Sequence, residues 1–322
     1  MNKILKVKFV DSTYDSIRSM TLPILKKNFD IVQECDDPDF IFYSVFGHEH
    51  LKYNCVRIFW TGENIQPDFN VCDYAIGFSH MQFEDRYCRI PLYYFYTQDY
   101  QRAVKKHLLT SEEISMKKRF CNFVYSNGNA DSEREHFFDL LSQYKKVDSG
   151  GKFRNNMNGK LVEDKYEFQK QYKFSVAFEN SSTSGYTTEK ILQAFAAGTI
   201  PIYWGNPKIA EDFNTKAFIN CHDYGSYDEI INKIKEIDLN DNLYKQYILE
   251  PIGSIEKFPE NPLKEYENYI TYICRQEKMK AYRRSNVFLG KYYQEELKNA
   301  FATKMSVSSL KHQVAKKLKE FW

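Results

Sequence analysis

The stretch Phe174–Asn206, FSVAFENSSTSGYTTEKILQAFAAGTIPIYWGN, decides how the chain folds. Two short apolar runs, Phe174–Phe178 and Thr199–Trp204, are rich in β-branched and aromatic residues, as buried parallel strands are. A polar loop, Glu179–Gly185, separates the first run from a helix that begins near Thr187 and Thr188, whose hydroxyls suit a cap. Ile191, Leu192, Phe195 and Ala196 recur at helical spacing and give that helix an inward face. The stretch is thus one βαβ unit. Lys190 lies in the helix's first turn, where the helix dipole favours an anion. Either a bound oxyanion resolves that conflict, or the lysine packs its stem and keeps its head in water.

The wider chain supports the same architecture. At 322 residues it is long enough for two ordinary domains, and 43% hydrophobic content supplies their cores. Aromatics reach 16%, a surplus that suits sugar or base recognition and that an AT-rich genome also produces. The formal charge of +2 points to no particular partner for the chain as a whole. Seven scattered cysteines, none in a CxxC pair, argue against a disulfide framework or zinc site and for a reducing compartment. The segment Met1–Asp11 carries no apolar run of signal-peptide length, and no stretch reaches about 20 apolar residues. A cytoplasmic protein is expected.

Ile4–Val10, Phe40–Phe46, Val56–Trp60 and Tyr74–Phe78 read as strands in the first half. Ser12–Phe29 reads as a helix with a break near Pro23. Irregular structure is expected from about Pro91 to Lys118. The second half alternates more regularly: strand Phe120–Tyr125, helix Ser132–Tyr144, strand Lys146–Asp148, helix Lys165–Tyr172, then the opening unit. A short helix Pro207–Phe213, strand Phe218–Cys221 and helix Tyr227–Ile237 follow, the last with Ile230, Ile231 and Ile234 inward. Such alternation predicts doubly wound α/β domains, whose ligands bind beyond the strands' carboxyl ends. From Arg275 onward twelve Lys and Arg stand against four Glu, a net of +8. There Val307, Leu310, Val314, Leu318 and Phe321 alternate with lysines. The pattern suits an anionic membrane surface or a helix docked on its own domain.

Candidate chemistry sits at three strand ends. Glu63, within Thr61–Asn64, places a carboxylate after a strand, where it can serve as a general base. Arg134 stands at the start of a helix after Ser126-Asn127-Gly128. Like Lys190, it puts a cation where the dipole prefers an anion. Two such helix starts on adjacent strands would clamp one diphosphate. No GxGxxG and no Walker A pattern accompanies them. Asp37-Pro38-Asp39 reads as a turn, and the histidines show no metal-ligand spacing.

These motifs together resemble a known family. Phe178–Ser181, Gly185–Lys190 and Thr199–Gly205 are similar to the donor-binding signature of the α1,3/4-fucosyltransferases of glycosyltransferase family 10, in its bacterial branch. The likeness extends to Trp60–Asn64, Asp73–Phe78, Arg89–Tyr94, and Ser126-Asn127 with Arg134, covering roughly residues 40–225. It implies a GT-B architecture of two Rossmann-like doubly wound domains facing across a cleft. By that resemblance, 1–115 is the acceptor-binding domain and 116–275 the GDP-fucose-binding domain. The remainder, 276–322, is a basic helical segment that packs in part on the first domain. It also implies GDP-β-L-fucose as donor, inversion at the fucose carbon, and neither an obligatory cofactor nor a metal. Glu63 then matches the family base. Arg134 and Lys190 match its pyrophosphate contacts, Glu189 the acid near donor sugar or ribose, and Asn180 and Tyr186 the donor loop. The expected acceptor is an N-acetyllactosamine-type glycan of lipopolysaccharide or capsule. α1,3 linkage is favoured over α1,4, with peripheral contact to the inner membrane and no nucleic-acid partner. A GT-B transferase using another nucleotide sugar and a non-catalytic nucleotide- or glycan-binding protein are the alternatives.

Overall fold

The computed structural model describes residues 3–12, 16–253, 258 and 260–303. The apolar stripe expected from Val307 to Phe321 lies outside the described residues. Cα packing divides the chain into two compact units. One comprises Met1–Gly77, Met81–Arg89 and Lys264 onward, and the other Phe78–His80 and Ile90–Leu263. The expectation placed the divisions after 115 and 275. By packing, the chain touches the second unit at Phe78–His80, joins it from Ile90 and returns to the first at Lys264.

The first unit holds a six-stranded sheet of β1 (Ile4–Val10), β2 (Asp30–Gln33), β3 (Phe40–Tyr43), β4 (Val56–Trp60), β5 (Tyr74–Gly77) and β6 (Tyr87–Arg89), ordered β2-β1-β3-β4-β5-β6. Every pairing is parallel. β3, β4 and β5 are buried along their whole length, as continuous apolar runs in parallel sheets are. β2 and β6 are short and half-polar, and the sequence pattern did not disclose them. The helix Ser16–Asn28 runs through Pro23 without the expected break. Its buried residues Ile17, Thr21 and Leu25 hold it in place, and the Thr21 hydroxyl meets the Tyr266 hydroxyl of helix Lys264–Arg275 at 2.5 Å. Tertiary packing here outweighs the one backbone bond that proline removes. Asp37 and Asp39 lie 3.9 and 3.7 Å from the Lys278 ammonium, consistent with a structural turn.

The second unit holds β7 (Arg119–Phe123), β8 (Val147–Ser149), β9 (Tyr172–Phe178), β10 (Ile200–Trp204) and β11 (Ile219–Asn220), ordered β11-β10-β9-β7-β8 and again wholly parallel. The order reverses direction between β7 and β9, so the carboxyl ends of that pair form the unit's switch point. The segment expected to be irregular is ordered. The helices Thr97–Ala103 and Ser111–Ser115 lie within it, and Tyr93, Tyr100 and Ala103 pack on Ile191, Leu192 and Phe195 of helix Glu189–Ala196. Two buried lysines close helix ends in this unit. Lys117 donates to the carbonyls of Lys170 and Ala197, and Lys106 to those of Tyr247 and Glu250. Cations suit the orphan carbonyls of a helix C-terminus.

Candidate functional site

The site is built where the sheet order switches. Tyr125, just past β7, lies with its hydroxyl between the carbonyls of Val176 and Phe178 (2.9 and 3.2 Å) and accepts from the Phe178 N–H (2.7 Å). It therefore staples the end of β7 to the end of β9. The Arg134 guanidinium covers its ring, 4.2 Å from the centroid.

Arg134 opens the helix Glu133–Tyr144 and is 1% exposed. It donates to the Asn127 carbonyl (3.2 Å), the Phe178 carbonyl (3.4 Å) and Asn180 Oδ1 (2.6 Å). All three acceptors are neutral. Its Nε is buried with no partner, and among the described residues no carboxylate pairs with the group. A buried charge is costly unless an opposite charge meets it. Among the described residues, then, Arg134 is a buried cation with neutral partners only. Asn180, expected in the donor loop, is brought directly onto this cation.

The second helix start differs from its expectation. Glu179, the first residue after β9, is wholly buried. Its carboxylate accepts from the Thr188 N–H (2.8 Å), the Thr188 hydroxyl (2.7 Å) and the Lys190 ammonium (3.0 Å). Thr188 occupies the N-cap position of helix Glu189–Ala196, yet its hydroxyl makes no cap bond. The expected threonine cap is thus replaced: the Glu179 carboxylate takes the terminal N–H, and the hydroxyl serves the carboxylate. A carboxylate is the stronger acceptor for a helix N-terminus. Lys190, with its side chain 14% exposed, also lies 3.7 Å from Glu189. Burial alone would lower its pKa, but Glu179 and Glu189 outweigh burial and raise it. Burial likewise works to raise the Glu189 pKa, while Lys190 and Lys165 pull it below the usual carboxylate range. The Lys165 ammonium is held by Gln193, one turn along the same helix (2.7 Å). Lys190 therefore has its counter-ion within the chain, in contrast to Arg134.

The loop between them is pinned from beneath. The Asn206 side chain is fully buried, accepts from the Gly185 N–H (2.7 Å) and donates to the Thr187 hydroxyl (3.1 Å). Gly185 has φ +83°, and a Cβ there would lie 2.6 Å from the Phe78 carbonyl oxygen. At Gly205 a Cβ would lie 2.4 Å from the Glu179 side chain, so glycine is what lets that carboxylate stay buried. Tyr186 is 3% exposed, its ring edge-on to Phe78.

Glu63 belongs to the first unit. It follows β4 in a turn closed by its own N–H donating to the Thr61 hydroxyl (3.0 Å). Its side chain is exposed, and no ion pair engages it among the described residues. The described residues contain no cluster of three His, Cys, Asp or Glu side chains that could hold a metal. None of their helices is long and apolar enough to cross a membrane.

The chain is similar to known proteins over most of its length. The model of the alpha-(1,3)-fucosyltransferase FucT N-terminal domain matches residues 7–96, and that of the glycosyltransferase family 10 (fucosyltransferase) C-terminal region matches residues 114–250. The chain belongs to glycosyltransferase family 10. It is 38% identical over 252 residues to alpha-(1,3)-fucosyltransferase FucT of Helicobacter pylori, covering 68% of this chain and 52% of that protein. It thus spans about half the length of that relative. GDP-fucose protein O-fucosyltransferase 3 of Homo sapiens is 26% identical, over 64% of this chain and 43% of its own length. A crystal structure of an alpha1,3-fucosyltransferase superposes with TM-score 0.75 at 30% identity, covering 89% of this chain and 94% of that one. One with GDP-fucose gives TM-score 0.67, also at 30% identity, covering 84% and 91%. The family 10 chain thus has the two-sheet GT-B fold class. Of the residues expected to bind the donor, Arg134 and Asn180 touch one another, as do Glu189 and Lys190. Glu179, Tyr125, Asn206 and Lys165 were not singled out. Glu179 had a visible signal, a carboxylate directly after a buried strand. The other three act through contacts distant in sequence.

Proposed function

We propose that this chain is an inverting fucosyltransferase. It transfers L-fucose from GDP-β-L-fucose to the N-acetylglucosamine hydroxyl of N-acetyllactosamine-type acceptors, with α1,3 linkage, in surface-glycan synthesis for lipopolysaccharide or capsule. The observation that carries the reading is Arg134, a buried cation facing only neutral acceptors at the switch point of the second unit. The named activity of the Helicobacter pylori relative supports the α1,3 reading, and the GDP-fucose complex of the 30% identical enzyme supports the donor.

In this mechanism Glu63 takes the proton of the attacking hydroxyl. The new C1–O bond forms on the face opposite the breaking bond to the β-phosphate oxygen. The charge that develops on departing GDP is met by Arg134, by the helix N-terminus beside it, and by the Lys190 ammonium. Asn180 orients Arg134, and Glu189, kept ionised, accepts from donor hydroxyls. Tyr186 shapes the donor loop.

The test is product formation from GDP-fucose with type 1 and type 2 lactosamine acceptors, followed by linkage analysis. GDP-mannose, UDP-sugars and a serine/threonine peptide acceptor serve as competing arms. Transfer confined to another donor, or to the peptide, overturns the assignment. Glu63→Ala should lose transfer and keep GDP binding, and near-normal turnover in that variant removes Glu63 from the base role. For the basic segment after Arg275 we propose contact with an anionic membrane surface. Its sedimentation with anionic vesicles should fall with salt and on truncation after Ser306.

A further inference from the structure

The first unit carries a groove along the helix Lys264–Arg275 that the transfer reaction leaves unused. Two cavities of about 640 and 680 Å³ adjoin there, sharing Asn268 and Tyr272. The helix has 12 residues and is about 18 Å long. The smaller cavity faces Lys27 and Asn28, and the far wall of the larger is 81–89, including edge strand β6.

The lining has the chemistry of a sugar platform. Tyr272 is 45% exposed, and its hydroxyl donates to the Asp85 carboxylate at 2.7 Å. The Tyr269 hydroxyl donates to the Asp85 carbonyl at 3.1 Å, and Arg283 pairs with the same carboxylate. The ring of Tyr272 is thus oriented before any ligand arrives, which lowers the cost of binding. Asn268, Gln82 and Glu84 are exposed and make no hydrogen bond among the described residues. An aromatic face suits the C–H face of a pyranose, and free amides and carboxylates suit its hydroxyls. The larger cavity, which holds Tyr272, Asn268, Gln82 and Glu84, is lined by three carboxylates and one arginine, so it disfavours anions while its carboxylates suit sugar hydroxyls.

We propose that this groove binds a neutral oligosaccharide, stacked on Tyr272 and hydrogen-bonded by Asn268, Gln82 and Glu84. It holds the part of a long glycan acceptor remote from the reacting sugar. Only the naming of that glycan as the acceptor's own chain rests on the fucosyltransferase reading.

Two measurements test it. In the first, a three-repeat lactosamine oligomer and the lactosamine disaccharide are compared as acceptors. The oligomer should have a KM lower by about tenfold, the worth of one good aromatic contact with its hydrogen bonds. Tyr272→Ala with Asn268→Ala should abolish that advantage and leave the disaccharide's kcat and KM unchanged. Tyr272→Phe, which keeps the ring, should retain most of it. An advantage that survives the double variant, or none in the native chain, overturns the proposal. The second measurement is calorimetric titration of the same oligomer without donor, on native and Tyr272→Ala protein. Tyr272-dependent binding in a chain that transfers no fucose would sink the transfer reading and keep the groove. Active transfer with no such binding would sink the groove alone.

Discussion

Both units bury arginine, and Arg284 in the first and Arg134 in the second are treated in opposite ways. Arg284 in the first unit is paired with the fully buried Asp73, which also accepts from the backbone N–H groups of Arg57, Arg283 and Arg284. Its Nη2 donates to the Cys55 carbonyl and its Nε to Gln294 Oε1. Nothing is left for a ligand, and the pair clamps the segment after helix Lys264–Arg275 to strands β4 and β5. Arg134 in the second unit is as deeply buried, yet meets only a carbonyl pair, an amide and a ring face. Burial of a cation is thus uninformative about function by itself. Arg57 in the first unit is also buried and donates only to the Tyr53 and Val71 carbonyls and the Gln294 amide, but all three of its side-chain nitrogens have acceptors, whereas Arg134 lacks an anion and also leaves its Nε without a partner. Arginine makes the contrast sharp because it keeps its proton at any ordinary pH.

The largest expected effect breaks the clamp. Arg284→Met leaves Asp73 buried and uncompensated and should cost about 3–5 kcal/mol of unfolding free energy in urea denaturation. Arg134→Met removes a charge with no counter-ion and should leave stability within about 1 kcal/mol of the native chain. Equal losses in the two variants would make Arg134 a second structural clamp. The same Arg134→Met protein should bind GDP more weakly by one to two orders of magnitude, about 1.5–3 kcal/mol for hydrogen bonds to a charged group, measured by calorimetry. Unchanged affinity would refute the diphosphate assignment.

Lys190 falls between the two arginines. Lys190→Met should lower GDP affinity less than Arg134→Met does, because its charge is already shared with Glu179. It should also cost about 1–3 kcal/mol of stability, since Glu179 loses its ion partner but keeps both Thr188 donors. Adding Glu179→Gln should restore part of that stability. A double variant no more stable than the single one would show that Glu179 does not depend on Lys190.

The buried lysines act on stability only through pH. Burial lowers the Lys106 pKa to about 7 and the Lys117 pKa to about 8, in each case against a smaller opposing pull from a nearby glutamate. The unfolded chain keeps both groups protonated to about pH 10. It therefore binds more protons than the folded chain across that window, and stability should rise as pH increases from about 8 to 10, by at most about 1.4 kcal/mol per pH unit for each group. Lys106→Met and Lys117→Met should each flatten the slope in pH-dependent urea melts. An unaltered slope would mean that both stay charged when buried.

Much of this was legible in the sequence. β1 and β4 carry the predicted bounds, and helix Tyr227–Leu239 buries the predicted Ile230, Ile231 and Ile234, because long apolar periodicity reports burial directly. β2 and β6 were invisible because short edge strands are half-polar and their pairing is set by neighbours distant in the chain. The helix through Pro23 was misjudged because the packing that holds it, against Tyr266, comes from 245 residues away. At the site, cations at two helix starts were legible from local order alone.

The sequence alone determined the alternation of strands and helices, the placing of Arg134 and Lys190 at helix starts, and the ordered motif set of family 10. Those are properties of local pattern, where spacing along the chain fixes which faces are apolar and which turns are polar. The tertiary structure decided which cation is free. At Lys190 the misfit with the helix dipole is answered inside Phe174–Asn206, by Glu179, eleven residues away and brought close only when β9 and the following helix pack together. Arg134 has no such answer among the described residues. Charge balance depends on distances in space, and a sequence lists charges without their separations.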